Sequence, residues 1–130
     1  MRLVFLAVTS VALLVGCAKT QPTMVHGKAA SDWVQALQSA DAKTRKKAAE
    51  KMGSAGAVDP AIVPALAAAV KDKETDVRLA AVMALLKIGP AAQEAVPALT
   101  EAKNDKDIRV RDLAAKAVEK IQSSSPLKKS

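Results

Sequence analysis

The chain has 130 residues, with 20 Lys and Arg against 13 Asp and Glu, a formal net charge of +7, and only 2% aromatic residues. A single cysteine excludes an intramolecular disulfide, and a single histidine leaves no imidazole cluster for a metal. The basic balance calls for an anionic partner, but with one Trp, one Phe and no Tyr there is no platform on which nucleic-acid bases could stack.

The N-terminal segment opens with Arg2 and an apolar run of 13 residues from Leu3 to Val15. That run is too short to span a hydrocarbon core of about 30 Å, which takes about 20 helical residues. It fits the apolar region of a secretory signal peptide. It ends Leu14-Val15-Gly16-Cys17, which resembles a bacterial lipobox. The resemblance implies that residues 1–16 are a signal peptide, that cleavage falls before Cys17, and that the Cys17 sulfur carries diacylglycerol. It also implies a lipid-anchored place in the cell envelope. Ala18 follows the cysteine in place of Asp, which by the same resemblance favours the outer membrane. From Cys17 to Ala30 the sequence is polar, with Pro22 and Gly27 and no apolar periodicity. It reads as a flexible tether reaching at most about 40 Å, and His26 reads as a solvated tether residue.

From Ser31 the pattern is one of short helices. Ser31 is placed to cap a first helix, SDWVQALQSA, that buries Trp33, Ala36 and Leu37. Asp41 is placed to cap a second running toward Ala55, with early fraying expected in the glycine-rich stretch Met52 to Gly56. Asp59-Pro60 opens the next pair, and AIVPALAAAV forms its first helix, to about Val70. After a turn at Asp72–Glu74, the helix Thr75–Ile88 is apolar on nearly every side and ends at Gly89-Pro90. The third pair repeats this plan, with a last helix over Ile108–Ile121. Pro64 and Pro97 lie inside helical patterns, so each kinks its helix or marks the true start. Residues 123–130 have no periodicity and read as a disordered tail.

These helices repeat. Arg45, Arg78 and Arg111 are evenly spaced, followed at equal offsets by Ala48, Ala81 and Ala114, and by Met52, Leu85 and Val118. Val63-Pro64 and Leu66 recur at the same interval as Val96-Pro97 and Leu99. A fixed period of this length marks a stacked array. The motif carried by Val77-Arg78, Ala81, Ala84-Leu85, Ile88-Gly89 and Ala95 to Leu99 resembles the HEAT repeat, in the short bacterial form also found in phycobilisome lyases. The same period occurs in ankyrin and tetratricopeptide repeats, but Thr-Pro-Leu-His and the aromatic pattern of those families are missing. The resemblance implies an all-α fold, a short α-solenoid of about three helix pairs over residues 31–122.

At about 100° per residue, Val77, Ala81, Ala84, Leu85 and Ile88 form one stripe of the central helix, facing its paired helix. Leu79, Met83 and Leu86 form another, nearly opposite, and its equivalents in the outer repeats are mostly charged. Polar outer repeats around an apolar middle keep a short solenoid soluble. The HEAT resemblance implies that Leu79, Met83 and Leu86 lie on a concave surface, flanked by Lys46, Glu50, Asp112 and Lys116, as a protein-binding patch; cover by neighbouring repeats is the other reading. Lys43, Arg45, Lys46, Lys47 and Lys51 form a basic cluster that reads first as a solvated face, and otherwise as a patch suited to anionic headgroups or an acidic protein. Asp41, Glu74 and Asp107 stand four residues before the three arginines, a spacing read as helix caps and inter-repeat ion pairs.

No glycine-rich phosphate loop, nucleophile with a base, or metal-ligand spacing is present, so the sequence reads as non-enzymatic, with no catalytic residue, metal, cofactor or small-molecule substrate. The function expected is binding or scaffolding of an envelope protein, without nucleic acid. The alternatives are a lyase-like or enzyme-accessory protein, and a structural protein lying on an anionic membrane through its basic face.

Overall fold

A computed structural model describes residues 21–124. The signal segment, Cys17 and most of the tail lie outside these residues. The chain begins with a two-stranded antiparallel hairpin, β1 (Met24–Val25) and β2 (Lys28–Ala29). Six α-helices follow: α1 (Ala30–Ala36), α2 (Ala42–Ala55), α3 (Ile62–Ala69), α4 (Thr75–Ile88), α5 (Val96–Ala102) and α6 (Ile108–Ser123). The fold is all-α, as its periodicity requires. The second helices α2, α4 and α6 pack side by side, and each first helix lies against them. Between the two layers runs one core, with Met52, Ile62, Leu66, Leu85, Leu99 and Ile121 all fully buried.

The hairpin overturns part of the expected tether. His26 and Gly27 sit at φ 48° and 80°, the left-handed pair that a tight two-residue hairpin turn needs. Val25 is buried, and the Trp33 indole Nε1 donates a 2.8 Å hydrogen bond to the Val25 carbonyl oxygen. Lys28 Nζ lies 5.1 Å from the centre of the Trp33 ring. The hairpin packs on α1 and α2, so the folded unit starts at Met24 and not at Ser31. Two residues per strand are too few for period-2 alternation to show, and contacts with α1 and α2, that with Trp33 among them, hold them in place. For the same reason α1 starts at Ala30, directly after β2, and Ser31 is not its cap; Ala29 is, with no side-chain bond.

Elsewhere the boundaries follow the local chemistry. The Asp41 carboxylate accepts from Thr44 N–H and Thr44 Oγ, at 3.0 and 2.7 Å, and caps α2. Asp107 caps α6 by accepting from Arg109 N–H at 2.8 Å, whereas Glu74 occupies the cap position of α4 without a side-chain bond. Gly89 ends α4 at φ 71°, and a 3-10 stretch, Gly89–Ala95, leads into α5. Pro64 and Pro97 both lie in first turns, where the missing N–H costs nothing, so they mark true starts and kink nothing. The glycine-rich end of α2 does not fray early. It stays helical to Ala55, because Gly53 lies directly against Ala84 of α4.

The arginines tie the repeats together, but not to the acids four residues earlier. Arg45 is 5% exposed and donates from Nε and Nη2 to the two Asp72 oxygens, at 2.8 and 3.0 Å. Arg78, also 5% exposed, does the same to Asp105 at 2.8 and 3.1 Å. Each pair spans 27 residues and one repeat boundary. A planar fork meeting a carboxylate through two bonds has the geometry in which a buried ion pair offsets its desolvation.

A mixed-charge groove across the second helices

The second helices leave an open groove of about 500 Å³, lined by Lys46 and Glu50 from α2, by Asp76, Leu79, Ala80, Met83, Ala84 and Lys87 from α4, and by Arg109 from α6. Its floor exists because α4 brings small and apolar residues to that side, while the neighbouring helices bring charged ones. Met83 is 45% exposed, one of few large apolar side chains so open to solvent among the described residues. Leu79 lines the groove half-buried.

The three residues expected to act as one patch are therefore divided. Leu79 and Met83 belong to the groove. Leu86, half-buried and packed against the core, does not line it. The expected rim is likewise corrected in part: Lys46 and Glu50 flank the groove and approach each other at 3.9 Å, but Arg109 stands where Asp112 and Lys116 were expected. Asp76 and Lys87 were missed, although they sit seven residues before and four after Met83 and so share its helical face.

Arg109 is held to Asp107 by bonds of 3.1 and 2.9 Å. That bond, with the N–H bonds of the cap and the nearby guanidinium charge, lowers the Asp107 carboxyl to about 2. The groove lining contains no Cys, His or Ser, and its side chains offer apolar contact and charge of both signs. Among the described residues no three His, Cys, Asp or Glu side chains gather as a metal site.

The basic patch is also changed. Arg45 is buried and held by Asp72, so it offers nothing to solvent. Lys46 leans over the groove. Lys43, Lys47 and Lys51 remain, four residues apart along α2, the first two exposed and the third half-buried. By the repeat offsets they occupy the positions of Asp76, Ala80 and Ala84, the last of which meets the preceding second helix at Gly53. On α2 no earlier helix pair exists among the described residues, and the stripe faces the hairpin end of the stack. Met24, in the hairpin, is 60% exposed.

A second depression, of about 480 Å³, lies along the turns and includes Asp72, Arg78 and Asp105. Asp72, Arg78 and Asp105 are engaged between repeats, and so are Lys71 and Glu101 at 2.9 Å, while Lys73 and Lys106 stand exposed at its edge. Burial alone would raise the Asp72 carboxyl; the bonds from Arg45 and Glu74 N–H and the Arg45 charge outweigh it and hold the group below its ordinary range. Asp105 is held low in the same way, by Arg78 and Asp107 N–H against burial.

Comparison with known proteins agrees with this architecture. The profile described as HEAT repeats matches residues 30–119. No curated protein matches the chain in sequence. Among solved structures, the complex of CpcE and CpcF of phycocyanin lyase from Nostoc sp. PCC7120 is similar, with 29% identity and a TM-score of 0.66 over 81% of this chain and 40% of that one. An engineered protein is similar in fold, with 24% identity and a TM-score of 0.63 over 72% of this chain and 45% of that one. The chain thus spans less than half the length of either.

Proposed function

Because the chain belongs to the HEAT-repeat family, we propose that it is a non-enzymatic binding protein of the cell envelope, anchored through lipid on Cys17, whose groove over Leu79 and Met83 receives a segment of another protein. The observation that supports this reading best is the groove itself. Met83 stands exposed on the central helix, where an unbranched thioether suits an adaptable contact. Around it Lys46, Lys87 and Arg109 alternate with Glu50 and Asp76. An apolar centre inside a charged rim is how many protein interfaces are built.

The anchoring part of the reading rests on the apolar run and the Leu14-Val15-Gly16-Cys17 sequence. Lipid chains would hold the domain to the membrane, and the lysine stripe on α2 would then meet anionic headgroups. A second reading, an accessory subunit of an enzyme, draws on the likeness to the phycocyanin lyase complex.

A photo-crosslinker at position 83 tests the groove. One defined envelope protein should be captured, and Met83→Lys should abolish its binding while circular dichroism stays unchanged. Loss of the helical signal in that variant would make Met83 a packing residue and end the groove reading. Capture of an enzyme subunit would favour the second reading. Anchoring is tested separately by metabolic labelling with a fatty-acid probe, which Cys17→Ser should abolish; an unlabelled wild-type protein rules it out.

A further inference from the structure

The arginine ladder has three arginines and two filled rungs. In each repeat Nη1 of the arginine donates to two carbonyls of the turn before its helix. These are Ser39 and Ala40 for Arg45, Asp72 and Lys73 for Arg78, and Asp105 and Lys106 for Arg111, at 2.8 to 3.4 Å. Arg111 is thus tethered like the other two. The difference lies at the outer edge of the fork. Nε and Nη2 of Arg45 and Arg78 each meet a carboxylate of the next repeat. Among the described residues no carboxylate meets that edge of Arg111.

The apolar seam is left open at the same place. Ala49 and Val82 are fully buried, but their equivalent Ala115 is exposed. Met52 and Leu85 are fully buried, but their equivalent Val118 is only half-buried. In the inner repeats, the next helix pair covers these positions and supplies the acid.

The other end of the stack is different. The hairpin packs on α1 and α2, and the position of Asp72 and Asp105 is taken by Ser39. The Ser39 Oγ accepts from Asp41 N–H at 3.2 Å, as the two aspartates accept from Glu74 and Asp107 N–H at 2.9 and 2.8 Å. Ser39 keeps the turn without the acid. A second copy stacked head to tail would therefore bring Arg111 no carboxylate.

We propose that the α6 end of the stack is a docking surface for a helix pair of a different chain, whose interhelical turn carries an Asp two residues before the cap of its second helix. That Asp takes the Arg111 fork through two bonds, as Asp72 and Asp105 take theirs, and the incoming helix covers Ala115 and Val118. Asp112, Lys116 and Glu119 on the same face keep the free end soluble and demand complementary charge from the partner. The surface is separate from the groove at Met83, and its test does not depend on that reading.

The probe is a chain extended after Gln122 by a second copy of residues 90–122. The copied Asp105 then follows Arg111 at the same separation by which Asp72 follows Arg45 and Asp105 follows Arg78. The melting midpoint should rise above the parent's by about 4 °C or more. Arg111→Ala should remove most of that gain, read against the unextended chain carrying the same change, which has lost only the two turn bonds. Changing the copied aspartate to asparagine should do the same. Arg111→Lys, with charge but no fork, should recover under half of the gain, and it carries the test if Arg111→Ala does not fold. A gain that survives these changes, or an appended pair whose amides exchange like unfolded chain, overturns the proposal. A free peptide of residues 90–122 at millimolar concentration should then shift the α6 amide resonances of the parent and not of Arg111→Ala. Absence of those shifts, where the fused pair docks, overturns docking between chains.

Discussion

A Cβ placed on Gly53 would stand 2.6 Å from both the Cα and the Cβ of Ala84, so α2 and α4 touch there backbone to backbone. Few real contacts of a Cβ are so short, and the obstructing atoms are main chain or the Cβ fixed to it, so they cannot swing aside. Gly53→Ala should therefore destabilise the domain, although alanine is the better helix former by about 1 kcal/mol. Forcing the helices apart costs about 1–3 kcal/mol, so a net loss of about 1 kcal/mol is expected in urea denaturation. An unchanged or raised midpoint would mean that the two helices separate freely.

The ion pair between Arg78 and Asp105 has both side chains nearly buried, 6% and 11% exposed. Asp105→Ala leaves the guanidinium without its partner and should cost about 3–5 kcal/mol. Arg78→Met with Asp105→Leu should cost markedly less than that, since both charges go together. Equal losses for the single and double changes would show that packing, and not charge, holds this boundary.

Acid should unfold the domain through these carboxylates. Asp72 and Asp105 have folded values below the ordinary 3.8, so their contribution is full above that value and is lost as pH falls through the folded ones. The melting midpoint should be level from neutral pH to about 5 and fall below about 4. Asp72→Asn with Asp105→Asn should melt lower at neutral pH and respond less to acid. A midpoint that falls already between pH 7 and 5 would assign the acid sensitivity to other groups.

The lysine stripe gives a test at the membrane. A chain lacking residues 1–17 should bind vesicles made of two parts phosphatidylcholine to one part phosphatidylglycerol, and bind pure phosphatidylcholine far more weakly. Lys43→Gln, Lys47→Gln and Lys51→Gln together should weaken binding on the order of 100–200-fold, at about 1 kcal/mol per lysine. Sedimentation with vesicles reads this out. Equal binding before and after the triple change would remove the stripe from any membrane role.

Leu85 is fully buried between the layers. Leu85→Ala should cost about 2–5 kcal/mol in thermal melts, and Leu85→Asp should unfold the domain. An Asp variant as stable as wild type would put the face of α4 on the wrong side.

The sequence by itself determined the repeat, the helix order and the face of each second helix. Those follow from local chemistry repeated at a fixed interval: Asp41 and Asp107 as caps, Gly89 as a stop, and Val77, Ala81 and Leu85 on one buried face, whereas Ala84, expected to face the paired helix, meets Gly53 of α2. Tertiary structure decided whatever depends on which distant groups meet. The hairpin at Met24–Ala29 exists because Val25 and Trp33 find each other, and two-residue strands carry no pattern of their own. Arg45 left the basic patch because its fork reaches Asp72 across a repeat boundary, a contact that a charge count along α2 cannot register. Leu86 and Met83 parted for the same reason. They lie on one side of one helix, but one packs against the core and the other opens on the groove, and only the neighbouring helices fix which.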